Sequence, residues 1–355
     1  MSKQDHISYD LKECNLKKLA IPQSITSIED NCFKECDSLT HVYIPPSVTK
    51  IGCSAFFNSR NLKYISIPSS VTSIEPFCFQ GCSSLIKAVN SHTFFRCLLL
   101  EEVKLPPSLK SIDTRGFFCC ENIKHIKFPT SLTSIGYSSF NWCQSLEEID
   151  IPSSVTSIDS YAFCECKLIK KVVIPSNVKF LGNSIFSRCT SLKDVTILAP
   201  LTEIENYMFD GCSSLENITI PESVTVIKTK AFSHCRSLTQ FKVPPRLKTI
   251  ESFAFASLDR LTQILLPDSL TCINNYAFLG CTALTQISIP SSVTSFGKNA
   301  FCFCSSLIEI TIPPSVVSIG ENAFKNCTSL RKITIPSSLD LSNLGIGPKV
   351  EVIKT

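Results

Sequence analysis

Hydrophobic residues recur along the chain with a period of 23 residues. An apolar residue followed by proline, usually Ile-Pro, opens a copy at positions 21, 44, 67, 105, 128, 151, 174, 220, 243, 266, 289 and 312, and Ile197-Leu198 opens one without the proline. The consensus of one copy is I-P-x-S-V-x-x-I-G-x-x-A-F-x-x-C-x-x-L-x-x-I-x. A single copy cannot bury so many apolar groups alone, so the period predicts copies that stack and share one core.

The spacing of the copies changes once. The interval from 67 to 105 is 38 residues, which equals 23 plus 15, so residues 90–104 form a shortened copy that lacks the first eight positions. The register is the same on both sides. We expect a local change of curvature here and a protruding loop at 88–93, with His92 as a second, weaker candidate for a specific contact.

Position 13 of the copy is invariant. It is Phe in all fourteen copies, which predicts a column of rings pointing into the core. The members are Phe33, Phe56, Phe79, Phe94, Phe117, Phe140, Phe163, Phe186, Phe209, Phe232, Phe255, Phe278, Phe301 and Phe324.

The remaining positions predict the course of the backbone. Positions 19 and 22 with position 1 of the next copy match the L-x-x-L-x-L core of a leucine-rich repeat, and the alternation around position 22 predicts a short strand. Positions 10–15 are too few for an isolated helix and predict a helical or 3₁₀ turn. Position 4 is mostly Ser, whose hydroxyl can bond turn backbone.

The predicted fold class is therefore α/β, a right-handed leucine-rich repeat solenoid in the form of a horseshoe or arc. Short parallel strands would line its concave face, and helical or 3₁₀ turns would complete each copy. We expect an N-terminal cap at 1–20, the solenoid at 21–334 and a C-terminal cap at 335–355, with Val350 to Ile353 as a terminal strand. Caps are expected because the end copies of a solenoid expose apolar edges.

The sequence from Ile312 to Leu330, IPPSVVSIGENAFKNCTSL, resembles the repeats of the BspA-like leucine-rich repeat family, which are of the spirochaete type. The resemblance extends over about residues 14–340. It implies a solenoid of the kind found in surface proteins of bacteria and protozoan parasites, used for adhesion and for binding host or matrix proteins. Surface members of the family usually carry a signal peptide or an anchor.

Composition and charge exclude several functions. The 34 basic and 30 acidic residues are scattered along the chain, without the basic clusters that nucleic-acid binding needs. Neither a secretory signal nor an apolar run of about 18 residues is present, so no membrane span is expected. The localisation stays open between the cell surface, by family resemblance, and the cytoplasm, by the missing signal.

Twenty cysteines raise the question of disulfides or metal binding. Neighbouring strands lie about 4.8 Å apart, whereas a disulfide needs Cβ atoms about 3.8 Å apart, so we expect buried, reduced thiols. Pairs such as Cys164 and Cys166 lack a second pair with His at zinc-finger spacing, so no metal or other cofactor is expected. Twelve cysteines occupy position 16, which is otherwise Ser59 or Leu258: Cys36, Cys82, Cys97, Cys120, Cys143, Cys166, Cys189, Cys212, Cys235, Cys281, Cys304 and Cys327.

No catalytic signature accompanies the five histidines, and near-identical copies do not provide a unique constellation, so we expect no enzymatic activity. Function is expected at positions 21 and 23, which flank an inward residue and so project from the concave face. From residue 41 to 194 these positions are charged or aromatic, and from 217 onward they are mainly Asn, Gln, Ser and Thr. The candidate partner-binding residues are His41, Tyr43, Tyr64, Lys87, Glu102, Lys104, His125, Lys127, Glu148, Asp150, Lys171 and Asp194.

The function expected from these observations is binding of a protein, by an adhesin or surface protein that is monomeric or weakly oligomeric. An intracellular scaffold or adaptor with the same fold is the alternative, because the signal is missing and the thiols are expected to be reduced. A face whose charges only maintain solubility is a further alternative, since charges along stacked strands also discourage aggregation.

Overall fold

The structure, a computed structural model, describes residues 6–7, 15–68, 70–71, 73–75, 77–89, 94–105, 107–340 and 342–355, without the side chains of 6, 7, 73 and 87–89. The chain divides into two compact units, Met1–Ile169 and Lys170–Thr355. Each unit is a parallel β-solenoid in which one turn corresponds to one 23-residue copy. His92, the weaker candidate, lies outside the described residues.

The first unit contains two columns of parallel strands. Most paired residues are 23 apart, as His41 and Tyr64 are, because each turn repeats the previous one. At the shortened copy, Lys87 and Glu102 pair although they are 15 apart. The strands are β1 (His6–Ile7), β2 (Lys18–Ala20), β3 (Ser27–Ile28), β4 (His41–Tyr43), β5 (Lys50–Ile51), β6 (Tyr64–Ser66), β7 (Ser73–Ile74), β8 (Lys87–Val89), β9 (Glu102–Lys104), β10 (Ser111–Ile112), β11 (Ser134–Ile135) and β12 (Ser157–Ile158). Strands β2-β4-β6-β8-β9 contain positions 21–23. Strands β3, β5 and β7, and β10-β11-β12, contain positions 7 and 8, and β1 pairs with β3.

The second unit has the same two columns. Its strands are β13 (Lys171–Ile174), β14 (Phe180–Leu181), β15 (Asp194–Ile197), β16 (Glu203–Ile204), β17 (Asn217–Thr219), β18 (Val226–Ile227), β19 (Thr249–Ile250), β20 (Gln263–Leu265), β21 (Cys272–Ile273), β22 (Gln286–Ser288), β23 (Ser295–Phe296), β24 (Glu309–Thr311), β25 (Ser318–Ile319), β26 (Lys332–Ile335) and β27 (Glu351–Lys354). Strands β16-β18-β19-β21-β23-β25 form one sheet, and β13-β15-β17, β20-β22 and β24-β26-β27 form the others. We call the outward side of positions 21 and 23 the strand face, and positions 7 and 8 the short-strand column.

The strand predicted around position 22 is absent from three copies. Residues 125–127 and 148–150 are joined only by a single bridge between His125 and Glu148, and 240–242 form no strand. In the last case Phe241 replaces the usual Ile at position 22. Its ring packs edge-on between Phe232 and Phe255, at 5.1 and 4.9 Å between ring centroids. The other two copies without the strand have the usual Ile, Ile126 and Ile149, at this position.

Positions 10–15 form consecutive turns, and the described residues contain no helix, so the predicted helical or 3₁₀ turn is not confirmed. The 24 described non-glycine residues with positive φ all occupy positions 11 and 15. A left-handed residue at each of these positions interrupts helical geometry. The backbone N–H groups point instead to the next turn: Asn31 donates to Cys53 O at 2.9 Å, and Phe33 donates to Ala55 O at 2.7 Å.

The invariant Phe rings form the predicted inward column, and all fourteen are buried, which confirms their orientation. In the first unit, successive rings from Phe33 to Phe163 lie 4.9–5.5 Å apart between centroids. In the second, those from Phe186 to Phe324 lie 5.3–5.9 Å apart. Each turn therefore contributes one aromatic layer to the core of its unit.

Cysteines at position 16 have a hydrogen-bonding role that the sequence analysis missed. The Cys120 Sγ donates to the Phe94 carbonyl at 2.9 Å, and the Cys281 Sγ donates to the Phe255 carbonyl at 3.1 Å. Ser59 makes the same bond with its hydroxyl, to the Phe33 carbonyl at 2.7 Å. Ser59 was the sign of this hydrogen-bonding role in the sequence, because a buried hydroxyl in an apolar column needs a hydrogen-bond partner. The described cysteines are thiols, and only a protonated thiol can donate in this way.

Serines at position 4 form a second ladder. The Ser154 Oγ donates to the Leu132 carbonyl at 2.6 Å, and the Ser292 Oγ donates to the Leu270 carbonyl at 2.6 Å, each at position 5 of the preceding turn. The predicted bonding to turn backbone is confirmed for these hydroxyls, whereas the buried Ser47 Oγ has no hydrogen-bond partner among the described residues.

We expect the buried thiols to make the protein sensitive to alkali. Burial raises the pKa of Cys281 from 9.0 to about 12, so between these values the folded thiol keeps its proton and the unfolded one loses it. The stability that this thiol contributes is complete below pH 9 and decreases as the pH rises toward 12. At pH 10.5 the loss is about 2 kcal/mol for one such thiol.

Urea unfolding of the Cys281→Ser variant at pH 7.5 and pH 10.5 tests this expectation. The hydroxyl keeps the hydrogen bond, as Ser59 does, and removes the titrating group. The variant should lose about 2 kcal/mol less stability than the parent protein on going to pH 10.5. Thr282→Ser, an adjacent change that removes no titrating group, should behave as the parent. An identical pH dependence in the parent and the Cys281→Ser variant would contradict the assignment.

The C-terminal segment adds a further partial turn. The strand predicted at Val350 to Ile353 is present as β27 and pairs in parallel with β26 over four residues. Before it, the Phe324 N–H donates to the Leu344 carbonyl at 2.9 Å, which continues the ladder of position 13. Leu344 is buried, with 2% of its surface exposed. The segment thus continues the stacking of turns although its sequence departs from the consensus.

Candidate functional site

The strand face of the first unit carries most of the predicted partner-binding residues. His41 and Tyr43 lie on β4, Tyr64 on β6, and Glu102 and Lys104 on β9. The residue between each flanking pair is buried, so the alternation of the strand turns the flanking side chains outward. Lys87 lies on β8, but its side chain is outside the described part.

An aromatic depression lies at the N-terminal end of this face. It has a volume of about 550 Å³, with Leu19, Val42 and Ile65 among its lining residues. The rings of His41 and Tyr64 lie 4.8 Å apart between centroids at an interplanar angle of 32°. Pairing of β4 with β6 places them side by side, since position 21 of one turn lies next to position 21 of the following turn.

Polar contacts hold this aromatic pair on the strand. The Thr40 Oγ1 lies 2.9 Å from His41 Nδ1 and donates to the Lys17 carbonyl at 2.6 Å, which connects the histidine to the preceding turn. Tyr43 and Tyr64 are exposed over 52% and 41% of their surface. The depression therefore presents aromatic side chains in a defined geometry.

Lys18 on β2 also lines this depression and was missed by the sequence analysis, which assigned residues 1–20 to a cap. The pairing of Lys18 with His41 shows that β2 extends the strand face by one turn. The signal was Leu19, which has the register of position 22.

Four further candidates lie together in the first unit. His125, Lys127, Glu148 and Asp150 are exposed and line a depression of about 390 Å³. Phe128 contributes to its wall. The two basic and two acidic side chains come from consecutive turns, which places both signs of charge on one small surface.

Lys171 and Asp194 belong to the second unit, on β13 and β15. Asp194 accepts a hydrogen bond from the Asn217 side chain at 2.8 Å, so its carboxylate is partly engaged within the face. Further along, a depression of about 370 Å³ is lined by short polar side chains such as Gln286 and Ser288, together with Leu265. The structure therefore distributes the twelve candidates over both units. Seven of them line the first two depressions: His41, Tyr43, Tyr64, His125, Lys127, Glu148 and Asp150.

Within the described ranges, no three side chains of His, Cys, Asp or Glu come together in the manner of a metal site. The same part of the chain contains no helix with the length and apolar character needed to cross a membrane.

Comparison with solved structures supports the fold. The chain is similar to a leucine-rich repeat protein from Bacteroides ovatus, with a TM-score of 0.71, 24% identity and coverage of 100% of this chain and 97% of that one. It is also similar to a leucine rich cell surface protein from Faecalibacterium prausnitzii, with a TM-score of 0.53, 28% identity and coverage of 96% and 88%. No curated protein matches the chain.

The family comparison agrees with the resemblance seen in the sequence of the copies. The model described as BspA type leucine rich repeat region (6 copies) matches residues 7–88, 85–193, 157–274 and 225–344. These overlapping matches extend over nearly the whole chain. The chain therefore belongs to the BspA-type leucine-rich repeat family.

Proposed function

We propose that this chain is a non-enzymatic binding protein that holds a partner protein on the strand face of its first unit. The observation that carries the proposal is the depression in which the His41 and Tyr64 rings lie 4.8 Å apart, beside an exposed Tyr43. Proteins of this repeat family are typically scaffolds rather than enzymes, which agrees with a binding role.

The chemistry of the depression suits a protein surface. Tyrosine is enriched among residues that dominate binding energy, because its ring buries a large area while its hydroxyl remains hydrogen-bonded. Apolar residues line the depression, and Lys18 and His41 offer polar groups beside them. An apolar or aromatic side chain of the partner with a neighbouring acidic group would fit this combination.

The candidates beyond this depression extend the proposed contact surface. Glu102 and Lys104 on β9, with the cluster of His125, Lys127 and Glu148, provide alternating charges that can fix the orientation of a partner. Lys87 and Asp150 complete the proposed surface of the first unit. Lys171 and Asp194, on β13 and β15, are separate candidates on the strand face of the second unit.

We propose two alternative cellular locations in which the protein binds its partner. The first is a surface protein or adhesin that engages host or matrix proteins, in keeping with the cell surface protein of Faecalibacterium prausnitzii to which the chain is similar. The second is an intracellular scaffold or adaptor, which the many cysteine thiols favour because reducing compartments preserve them. Protease treatment of intact cells distinguishes them, since only a surface protein is cleaved.

Site-specific photo-crosslinking tests the proposed face. A benzophenone side chain placed at Tyr64 should capture partner proteins from a matrix extract or from a cell lysate, each used as a separate arm. Leu265 is the matched control, because it is exposed on β20 of the second unit and equally presented by a strand. Capture at both positions to the same extent would contradict the assignment to the first unit.

Titration of the captured protein provides the quantitative test. Tyr43→Ala and Tyr64→Ala should each weaken binding about tenfold or more, because truncating a central aromatic contact costs about 2 kcal/mol. Gln286→Ala on β22 should leave the affinity unchanged. Equal losses in the three variants would refute the role of the depression.

A further inference from the structure

The aromatic depression on β2, β4 and β6 is lined by one ammonium group and by no carboxylate of a described residue. Lys18 is the charged residue among those that line it, and its side chain forms no ion pair with a described residue. The second depression of this unit differs, because Glu148 and Asp150 balance its basic groups. The aromatic depression is therefore complementary in charge to an acidic group of a partner.

The hydrogen bonds of Thr40 fix the protonation site of the His41 ring. A hydroxyl has one proton, and the Thr40 Oγ1 donates it to the Lys17 carbonyl at 2.6 Å. The Thr40 oxygen must therefore accept the hydrogen bond that joins it to His41 Nδ1 at 2.9 Å, so Nδ1 carries a proton. Neutral His41 has its lone pair on Nε2, which makes no hydrogen bond with a described residue.

Acid changes the chemistry that His41 presents to a partner. Protonation adds a proton at Nε2 and leaves the bond from Nδ1–H to Thr40 in place. The neutral ring offers an acceptor, which repels a carboxylate, whereas the imidazolium offers a charged donor beside Lys18, the residue with which His41 pairs on β2. Histidine ordinarily titrates near pH 6.5, where Asp and Glu are still ionised.

The groups around His41 bring no negative charge to it. Tyr64 on β6 stacks on the ring, Tyr43 follows on β4, and phenols are ordinarily uncharged in this pH range. Lys17 and Lys63 directly precede β2 and β6 and add positive charge. Protonated His41 therefore has no anionic partner among the described residues, and the carboxylate of a bound protein can supply one.

Tyr43 has room for a second ring beside it. Its neighbours at position 23 are Ala20 on β2 and Ser66 on β6, which pair with it directly. Both side chains are small, and Tyr43 is exposed over 52% of its surface. An aromatic side chain of a partner can therefore stack on Tyr43 above Ala20 or Ser66.

The distance between the charged and the aromatic part of the depression matches an extended peptide. Positions 21 and 23 of β4 lie about 6.6 Å apart, since a strand rises about 3.3 Å per residue. Residues i and i+2 of an extended segment point to the same side at the same separation. A segment lying along β4 can thus place one side chain at His41 and the next on that side at Tyr43.

We propose that the aromatic depression binds an extended segment of the partner protein in which an acidic and an aromatic residue are two positions apart, and that it binds this segment more tightly in acid. The carboxylate lies between Lys18 and His41, and the aromatic ring stacks on Tyr43. This inference rests on the proposed function, because it names the chemistry of the partner at the same site.

Three blocked, labelled peptides test this chemistry by fluorescence anisotropy with the full chain at pH 5.5. The first, acetyl-Gly-Phe-Ala-Glu-Ala-Phe-Gly-amide, has a Phe two positions from the Glu in both directions and should bind saturably. The same peptide with Gln in place of Glu should bind at least threefold more weakly. So should acetyl-Gly-Ala-Phe-Glu-Phe-Ala-Gly-amide, because its Phe residues adjoin the Glu and point to the opposite side. Equal binding of the three peptides, or no binding of the first, would overturn the proposal.

The pH dependence of binding tests the role of His41. The first peptide should bind at least threefold more tightly at pH 5.5 than at pH 8.0, since only protonated His41 donates to the carboxylate. His41→Gln should remove this difference, whereas His125→Gln, a matched change in the second depression, should keep it. Lys18→Gln should weaken binding at both pH values and keep the difference. An unchanged pH dependence in His41→Gln, or its loss in His125→Gln, would refute the site.

Two further outcomes separate this inference from the proposed function. If benzophenone at Tyr64 captures a partner protein but the first peptide does not bind, the ligand chemistry is wrong and the binding face stands. A peptide with a free terminal carboxylate, acetyl-Gly-Ala-Gly-Ala-Phe, should bind more weakly than the first peptide. Tighter binding of this peptide would assign the depression to a chain terminus and overturn the extended segment.

Discussion

Replacing Phe278 with alanine is expected to destabilise the second unit by about 3–5 kcal/mol. The ring is 0% exposed and lies 5.4 Å from Phe255 and 5.3 Å from Phe301 between centroids. Its removal leaves a cavity in the middle of the column, which two rigid neighbouring turns cannot readily close. Since domains are stable by only about 5–15 kcal/mol, this single change should remove a large fraction of the stability.

Urea unfolding followed by far-ultraviolet circular dichroism measures the effect. Phe303→Ala is the matched control, because Phe303 lies in the next turn and is 52% exposed. We expect it to change the free energy of unfolding by about 0.5 kcal/mol or less. If both variants unfold at the same urea concentration, the aromatic column does not carry the stability of the unit.

The features that could be predicted from the sequence are those that every copy repeats. Position 13 is invariant, so the inward direction of Phe278 and its counterparts followed from the pattern alone. Conformation at positions 11 and 15 could not be predicted. These positions hold residues as different as Tyr276 and Arg188, both with positive φ, because hydrogen bonds to the next turn fix the backbone whatever the side chain.

The candidate site was predictable to a similar degree. Period-2 alternation placed His41, Tyr43 and Tyr64 on an outward face, and the structure shows them there. Their grouping with Lys18 follows from the pairing of β2 with β4, for which the register of Leu19 with position 22 was the only sign before the first full copy.

Departures from the consensus therefore differ in their consequences. Ser59 in place of Cys preserves a hydrogen bond, and the ring of Phe241 in place of Ile packs within the Phe column. The loss of eight positions in the shortened copy coincides with the end of the sheet β1-β3-β5-β7, whereas β8 and β9 remain paired.

Removing residues 340–355 is expected to cause aggregation and a large loss of stability in the second unit. We infer that this segment caps the solenoid, because β27 pairs with all four residues of β26 and Leu344 joins the ladder next to Phe324. Without it, β26 becomes an open strand edge beside Ile333 and Ile335, which are buried in the intact chain. Exposed edges and apolar layers of this kind promote association between chains.

Sedimentation and urea unfolding at several protein concentrations test this capping role. The truncated chain should form concentration-dependent aggregates, and its soluble fraction should unfold at a lower urea concentration. Leu344→Ala keeps β27 and should cost about 2–4 kcal/mol without aggregation, because it removes buried apolar contact but leaves the edge paired. Lys349→Ala, an exposed change in the same segment, should have little effect. A truncated chain that remains soluble and unfolds as the intact one does would show that the last turn needs no cap.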